Sequence, residues 1–269
     1  MLPSILTDLE LAHYLADRAG DTILPHFRHT KEFKNKSKNG FDPVTIADQS
    51  AENTIRKIVS EFRPNDGFWG EEFGRTAGPS GRSWIVDPID GTRGFISGTP
   101  TWGTLISLVE ENGRPTLGII DQSFIGERFW GNPDGAYYRG PRGILRLITK
   151  ESQSLNETIL FSTFPEIGRE IDHEGFTAVA KHVHMTRYGM DCYAYGLLAL
   201  GQIDLVIEAG LYAYDICAPI AVIEAAGGIV TDWNGQSAYG GGQVLAAGNS
   251  IIHEQALDIL RDYADPIII

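Results

Sequence analysis

Cysteine is scarce in this sequence, with only Cys192 and Cys217 among its 269 residues. Two cysteines are too few for a disulfide scaffold, and a chain of this length can bury roughly three quarters of its unfolded surface without one. We therefore expect two reduced, partly buried thiols in a cytoplasmic protein.

Long apolar runs are also absent, since no run approaches the roughly 20 residues that cross a bilayer. The opening stretch MLPSILTDLELAHYLADR lacks both a basic segment and a continuous apolar segment, so we expect no signal peptide. The hydrophobic share of 42% and the charged share of 21% are those of an ordinary soluble protein without a membrane partner.

Positive charge is in deficit, because 22 Lys and Arg residues face 35 Asp and Glu residues, for a net charge of −13. This balance disfavours a nucleic-acid partner, since binding to a phosphate backbone needs clustered Lys and Arg. It suits cations, either metal ions or a substrate with an amine, although solvated acidic surfaces are common.

Apolar periodicity in residues 1–150 predicts two long helices followed by a series of strands, an α+β subdomain. The first helix opens the chain and is kinked or shortened by Pro25, and the second has Ile55 and Val59 on one face. The predicted strands are Trp84–Val86, Thr104–Val109, Leu117–Ile120, Arg128–Trp130, Ala136–Tyr138 and Ile144–Ile148. Asn112-Gly113 marks a hairpin between the second and the third strand. Sequential strands after two helices indicate an antiparallel sheet with helices packed on one face.

Residues 151–269 alternate between strands and helices, which is typical of a layered α/β unit. The predicted strands are Ile159–Phe161, Asp204–Ile207, Ile229–Thr231 and Val244–Ala247. The predicted helices are a stretch that ends near His182, then Cys192–Leu200, Ile216–Ala226 and about Ile252–Tyr263. The polar stretch Thr149–Asn156 separates this second subdomain from the first.

Four segments carry acids that are candidates for chemistry: DPVTIAD at 42–48, GEE at 70–72, DPIDGT at 87–92 and YD at 214–215. Each has a purely structural alternative. Thr45 and Asp48 fit a helix capping box, Asp215 fits an N-cap, and Glu71 with Glu72 fits a solvated turn.

Asp87 and Asp90 are harder to explain structurally, because they directly follow an apolar strand at a sheet end, where loops build sites. If Glu71, Asp87, Asp90 and Asp215 converge, each pair of charges about 4 Å apart repels by about 4 kcal/mol at an effective dielectric near 20. A cation must then offset the repulsion. Oxygen ligands without His or Cys select Mg²⁺ or Mn²⁺. The backbone amides of Gly91 and Thr92 then lie where phosphate oxygens can bind.

The ordered motifs D-x-V-T-x-x-D, G-E-E, W-x-x-D-P-I-D-G-T and Y-D before a helix that ends E-A-A-G-G resemble those of the inositol monophosphatase family. This family consists of Mg²⁺-dependent phosphatases. The resemblance covers Asp42 to Gly228 and implies a layered αβαβα sandwich, usually a homodimer. It also implies two or three Mg²⁺ ions, which Mn²⁺ can replace, and a small phosphate monoester as substrate.

The resemblance assigns roles to individual residues. The implied metal ligands are Glu71, Asp87, the carbonyl of Ile89, Asp90 and Asp215, with Glu72 in a less direct role. Glu71 and Thr92 would hold the attacking water, and Asp48 would orient the Thr92 hydroxyl. This is the two-metal form of phosphoryl transfer.

Two further stretches are similar to histidinol-phosphate phosphatases of this superfamily, namely DGTRGFISGTPTWGTLI and GMDCYAYGLLA. The alignment places Asp191, Glu208 and Asp215 around the leaving alcohol, where they suit the ammonium and imidazole of histidinol. Arg187 either reaches the phosphate or pairs with a surface acid, and Asp191 alternatively caps the helix that follows it. Gly189 precedes Asp191 in the motif and is a further candidate contact. Hydrolysis of inositol phosphate or 3′-phosphoadenosine 5′-phosphate, and a non-catalytic metal-binding scaffold, remain alternatives.

Overall fold

The computed structural model describes residues 6–29, 33–36 and 43–266. Seven α-helices form within these ranges: α1 (Asp8–Ile23), α2 (Ile46–Phe62), α3 (Thr92–Ser97), α4 (Glu170–Ala180), α5 (Tyr193–Ala199), α6 (Ala213–Ala225) and α7 (Ser250–Leu260). Short 3₁₀ turns follow at Leu155–Glu157 and Arg261–Tyr263. Expectations for residues 1–5, 30–32 and 37–42, which include Ile5, Lys31, Lys38 and the motif residue Asp42, lie outside the described residues.

Fifteen strands form in the described chain. The first ten are β1 (Lys34–Asn35), β2 (Pro43–Val44), β3 (Gly67–Gly70), β4 (Gly74–Thr76), β5 (Ser83–Asp90), β6 (Gly103–Val109), β7 (Pro115–Gln122), β8 (Glu127–Asn132), β9 (Gly135–Gly140) and β10 (Gly143–Arg146). The others are β11 (Ile159–Ser162), β12 (Met185–Tyr188), β13 (Leu205–Tyr212), β14 (Ile229–Thr231) and β15 (Gly241–Ala247).

The first large sheet has eight strands in the order β10-β9-β8-β7-β6-β5-β3-β4. Its neighbours run antiparallel, as predicted, with the exception of the parallel pair β3 and β5. The predicted hairpin at Asn112-Gly113 joins β6 to β7, and Gly113 has a φ of +80°. That left-handed conformation explains the glycine at this turn.

The second large sheet has five strands in the order β12-β11-β13-β15-β14. β11 runs parallel to both β12 and β13, whereas β15 runs antiparallel to β13 and β14. All strands of the first sheet end by Arg146, and those of the second begin at Ile159. The division into two subdomains near Thr149–Asn156 remains a proposal.

Three large apolar cores, together with a smaller cluster of Ile85, Val109, Ala213 and Cys217, join five layers. One core joins α1 and α2 to the eight-stranded sheet through residues such as Leu15, Ile55, Trp84 and Ile106. The next contains Ile120 and Phe129 of that sheet, Leu198 and Ile216 of α5 and α6, and Val244 of the second sheet. The last joins the second sheet to α4 and α7 through Leu160, Phe176, Leu245 and Leu257. This αβαβα order confirms the predicted fold class.

The predictions made from periodicity alone need three corrections. The eight-stranded sheet has helices on both faces, because α6 covers the face opposite α1 and α2. Helix α6 begins at Ala213, three residues earlier than predicted, and β10 ends at Arg146. The elements α3, β3, β4 and β12 were missed because they are short and lack an apolar repeat. Pro25 does shorten the first helix, which ends at Ile23.

The structure also bears on the two cysteines and on the absence of long apolar runs. Cys192 and Cys217 are both free and buried. Among the helices that the structure describes, none combines the length and the apolar character needed to span a bilayer.

A glycine on β7 allows α6 to pack directly on the eight-stranded sheet. A Cβ atom at Gly118 would collide with the backbone carbonyl oxygen of Ala218 in α6. Backbone atoms cannot yield as a flexible side chain does, so the two layers would have to separate.

We expect Gly118→Ala to lower the free energy of unfolding by about 1–3 kcal/mol, the usual cost of overpacking. The matched control is Gly240→Ala, because a Cβ atom there meets no atom within 4 Å. Thermal unfolding followed by circular dichroism should show a lower Tm for the first variant and an unchanged Tm for the second. Equal melting temperatures would contradict the close approach of α6.

Candidate active site

The end of β5 places two carboxylates at the edge of the eight-stranded sheet. Asp87 faces Leu105 on β6 and Asp90 faces Gly103, with a shift of register between the two pairs. Such an irregularity redirects side chains at a strand end. Oδ1 of Asp87 accepts a hydrogen bond of 3.0 Å from the backbone N–H of Ile89, which fixes the carboxylate within this bend.

Gly91 turns the chain from β5 into α3. Its φ of +80° lies in the left-handed region that favours glycine. A Cβ atom at Gly91 would also lie 2.7 Å from Cγ of Asp191, so a side chain has no room there. Gly91 therefore permits both the turn and the close approach of the Asp191 carboxylate.

Asp215 joins the two aspartates of β5 from the first turn of α6. Oxygen atoms of Asp87, Asp90 and Asp215 all lie within 4.8 Å of one another. Oδ2 of Asp215 also accepts a hydrogen bond of 2.6 Å from the backbone N–H of Tyr212, in the manner of a capping box. The N-cap alternative for Asp215 is thus corrected, because Asp215 is the third residue of the helix and caps from within it.

Asp87 is buried and Asp90 and Asp215 are partly buried, and these surroundings shift the pKa of all three carboxyl groups. Burial, and then the charges of Glu71, Asp90 and Asp215, raise the pKa of Asp87 well above its usual range. Burial and neighbouring carboxylates raise the pKa of Asp90 in the same direction. Burial, followed by the charges of Glu71 and Glu208, raises the pKa of Asp215 to about 7. A cation among these oxygens would allow all three groups to be charged at neutral pH.

Glu71 and Glu72 follow β3 and bind a lysine. Nζ of Lys36 lies 2.7 Å from Oε1 of Glu71 and 3.0 Å from Oε1 of Glu72. The solvated-turn alternative is wrong for Glu72, whose side chain is only 2% exposed. Burial opposes the charge on Lys36, but the two ion pairs outweigh it and raise the pKa of the ammonium group. Lys36 belongs to the basic stretch 31–38, of which the structure describes residues 33–36.

Glu52 on α2 holds the Glu71-Glu72 turn and was not identified from the sequence. Its Oε2 accepts a hydrogen bond of 2.7 Å from the backbone N–H of Glu72, and Oε1 accepts one of 3.2 Å from that of Phe73. A Cβ atom at Gly70 would collide with the Glu52 carboxylate. The available signal was the four-residue spacing from Asp48, which puts Glu52 on the same face of α2.

Thr92 and Asp48 meet at the start of α3. The hydroxyl of Thr92 donates to the carbonyl oxygen of Ile89 at 3.0 Å and lies 3.5 Å from Oδ1 of Asp48. Asp48 also forms the predicted capping box, since its Oδ2 accepts from the N–H of Thr45 at 2.8 Å and from its hydroxyl at 2.6 Å. Burial raises the pKa of Asp48 to about 6. Asp48 therefore both caps α2 and reaches the site through Thr92.

A cleft of about 590 Å³ opens over these residues. Of the predicted site residues, Glu71, Asp87, Ile89, Asp90, Gly91, Thr92, Asp191, Glu208 and Asp215 line it. Arg93, Thr163 and Phe164 also line the cleft, and none of them is among the site residues predicted from the sequence. The guanidinium of Arg93 lies 4.7 Å from the centre of the Phe164 ring. This pair joins α3 to the loop after β11, and no sequence periodicity predicts such a contact.

Asp191 has an unusual backbone conformation at the end of the cleft away from β3. Its φ of +48° is uncommon for a residue other than glycine, although Asp tolerates it better than most. Burial raises the pKa of its carboxyl group, while Arg93 and a 3.3 Å hydrogen bond from the Thr101 hydroxyl lower it. The capping alternative is wrong, because the N-cap of α5 is Cys192 and no side chain caps that helix.

Glu208 lies on β13, close to Asp191, and is buried. Its Oε1 accepts hydrogen bonds of 2.8 Å from both the backbone N–H and the hydroxyl of Thr163. Burial raises the pKa of Glu208 to about 7. The structure does not bring Arg187 or Gly189 to the cleft, since both are exposed and neither lines it.

Proteins of several organisms resemble this chain over nearly its whole length. It is 40% identical to the bifunctional phosphatase IMPL2, chloroplastic, of Arabidopsis thaliana, over 96% of this chain and 78% of that protein. It is 35% identical to a histidinol-phosphatase of Streptomyces coelicolor, over 97% of this chain and 99% of that protein. A solved structure of an inositol monophosphatase from Zymomonas mobilis matches with a TM-score of 0.84 at 40% identity, over 94% of this chain and 97% of that chain.

The sequence profile of the inositol monophosphatase family matches residues 7–265. This range contains the acid cluster, the Glu71-Glu72 turn and both acids at the far end of the cleft. The resemblance inferred from the motifs is confirmed, as is the similarity to histidinol-phosphatases. The chain belongs to the inositol monophosphatase family.

Proposed function

We propose that the protein is a Mg²⁺-dependent phosphatase that hydrolyses L-histidinol phosphate to L-histidinol and phosphate, a step of histidine biosynthesis. The observation that carries the proposal is a pair of acids, the partly buried Asp191 and the buried Glu208, in the cleft beside the cluster of Asp87, Asp90 and Asp215. One end of the cleft then suits a cation-assisted phosphate, and the other suits a cationic alcohol.

The residues present fit Mg²⁺ as the cofactor. Their donor atoms are oxygens alone, and three carboxylates lie close enough to share ions. We assign the ions, two or three in number, to Glu71, Asp87, the carbonyl of Ile89, Asp90 and Asp215. Mn²⁺ would serve in the same way. Bound ions there would acidify a water molecule and offset negative charge on the phosphate and the leaving oxygen.

The protein's own groups would position the reactants. We assign the attacking water to Glu71 and the Thr92 hydroxyl, with Asp48 fixing the orientation of that hydroxyl. Backbone N–H groups of Gly91 and Thr92 would donate to phosphate oxygens. In this arrangement the water would attack in line with the bond to the leaving alcohol, as phosphoryl transfer requires.

The charge at the far end of the cleft favours histidinol over other alcohols of the family. The carboxylate of Asp191 would accept a hydrogen bond from the ammonium group, and that of Glu208 would accept one from an imidazole N–H. A second phosphate, as in 3′-phosphoadenosine 5′-phosphate, would meet these acids with like charge. The Streptomyces coelicolor protein that is 35% identical carries the name histidinol-phosphatase, which agrees with this choice.

Inositol phosphate is the second candidate substrate. The Zymomonas mobilis structure at 40% identity is described as an inositol monophosphatase, and Glu208 could accept a hydrogen bond from an inositol hydroxyl. A neutral alcohol, however, would bring no positive charge to the carboxylate of Asp191, whose charge Arg93 offsets only in part. A non-catalytic scaffold is less well supported, because Glu71, Thr92 and the three cluster acids are all present.

We also propose that the protein is a homodimer located in the cytoplasm. The dimer follows from family resemblance alone. The free thiols of Cys192 and Cys217 agree with a reducing compartment. Compartments differ within the family, since the Arabidopsis thaliana relative is named as chloroplastic.

Millimolar Mg²⁺ should raise the Tm of the protein, because ions bind the folded cluster and not the unfolded chain. At a concentration of 100 times Kd the gain is about 2.7 kcal/mol. Asp87→Asn should abolish most of this gain while its side-chain oxygen still accepts from Ile89. Asp262→Asn, which changes an exposed acid outside the cluster, should keep the full gain. If the Tm of the wild-type protein is the same with and without Mg²⁺, the metal site is excluded.

Asp191→Asn should reduce kcat/KM for histidinol phosphate by roughly 10- to 100-fold, the effect of about 1.5–3 kcal/mol for a hydrogen bond to a charged group. Asn tolerates the positive φ of this position, so the fold is preserved. The measurement is phosphate release with Mg²⁺ across a panel of histidinol phosphate, inositol phosphate and glycerol phosphate. Turnover of glycerol phosphate, whose leaving alcohol is neutral, should change little. Equal losses on all three esters would exclude the assigned role of Asp191.

A further inference from the structure

Tyr195 on α5 is buried without a partner for its hydroxyl group. The residue is 4% exposed, and the hydroxyl forms no hydrogen bond with any described residue. Buried hydroxyls almost always have a partner, and an unsatisfied one lowers the stability of the fold. Phenylalanine would fit this site without the cost of an unsatisfied hydroxyl. We therefore expect the hydroxyl of Tyr195 to find its partner only when a ligand is bound.

The surroundings of this hydroxyl point to the active site. Tyr195 follows Asp191 by about one helical turn, and the N–H of Cys192 between them donates to Oδ2 of Asp90 at 2.6 Å. Burial, and then the negative charges of Glu208 and Asp90, raise the pKa of Tyr195 well above its usual range. The hydroxyl is therefore a protonated hydrogen-bond donor whose environment is set by the acids of the cleft.

Glu208 has unused acceptor capacity in the same place. Both of its hydrogen bonds, from the N–H and the hydroxyl of Thr163, end on Oε1, and the described residues make no other to this carboxylate. A carboxylate has about four acceptor positions, so Oε2 can take two more donors. The core that contains Tyr195 also contains residues of β13, the strand of Glu208.

We propose that Tyr195 is a positioning residue for the leaving group, whose hydroxyl donates to Oε2 of Glu208 once the leaving group is bound. The bond would hold Glu208 in one orientation, with the remaining lone pair of Oε2 directed to an N–H or O–H of the alcohol. The inference rests on the proposed contact between Glu208 and the leaving group. It does not depend on whether that group is histidinol or inositol.

Tyr195→Phe tests the inference, because it removes one oxygen atom and nothing else. With histidinol phosphate, or whichever ester of the panel the wild-type enzyme prefers, kcat/KM should fall about fivefold or more, chiefly through KM. With phenyl phosphate, whose leaving group has no N–H or O–H, kcat/KM should stay within about twofold. Without substrate, the Tm should be unchanged or higher, since an unpartnered buried hydroxyl is lost.

Tyr193→Phe is the matched control on the same helix. The hydroxyl of Tyr193 donates to Oε2 of Glu127 at 2.8 Å, so its removal breaks an existing bond. This variant should lower the Tm without distinguishing the two kinds of substrate. A double-mutant cycle adds a second readout, because Tyr195→Phe should have no further effect once Glu208→Gln has removed the carboxylate.

Three results would overturn the inference: equal kcat/KM for wild type and Tyr195→Phe, an equal loss on phenyl phosphate, or a Tm that falls as in Tyr193→Phe. Additive effects in the cycle with Glu208→Gln would also overturn it. Failure of the proposed function would be visible elsewhere, in a wild-type protein that releases phosphate from none of the esters. In that case the melting temperatures of the two tyrosine variants still decide whether the Tyr195 hydroxyl is bonded in the free protein.

Discussion

The mutual repulsion of buried carboxylates is the constraint on which the rest of this structure depends. Asp87, Asp90 and Asp215 have oxygen atoms within 4.8 Å of one another. Charges about 4 Å apart repel by about 4 kcal/mol per pair even at an effective dielectric near 20, and burial adds to this cost. Hydrogen bonds from backbone N–H groups keep each carboxylate in place, from Ile89 to Asp87, from Cys192 to Asp90 and from Tyr212 to Asp215. The arrangement is costly for stability alone, which is why it indicates a cation site.

Different layers of the fold contribute the acids of the cluster and the acids Asp191 and Glu208. Asp87 and Asp90 come from the eight-stranded sheet, and Asp215 comes from α6, which lies between the two sheets. Asp191 and Glu208 come from the segment before α5 and from β13 in the second sheet. The close packing of α6 on β7 therefore sets the distance between groups that act on phosphate and groups that select the alcohol. Changes in the second sheet can alter the substrate without disturbing the cluster.

The sequence predicted the cluster well because its residues carry local signals. Asp87 and Asp90 follow an apolar strand, and the ordered motifs reach from Asp48 to Asp215. Tertiary contacts explain what was missed, since Glu52, Arg93 and Phe164 act through partners distant in the chain. Arg187 and Gly189 were predicted from their closeness to Asp191 in sequence, yet β12 and the turn after it leave both exposed. The beginning of α6 was misplaced because Tyr212 to Asp215 lack the apolar repeat that marks the rest of the helix.

Charge also explains how one acidic cleft can serve a phosphate ester. A phosphate monoester is negatively charged near neutral pH and would be repelled by Asp87, Asp90 and Asp215 alone. Cations held by these acids would reverse the local sign and so allow the phosphate to bind. At Asp191 and Glu208 the sign stays negative, although Arg93 offsets part of it for Asp191. An alcohol that carries its own ammonium group then gains attraction at one end and phosphate contacts at the other, whereas a second phosphate meets repulsion. Under the proposed function, the same two charges would fix both the direction of the substrate in the cleft and the class of alcohol that it accepts.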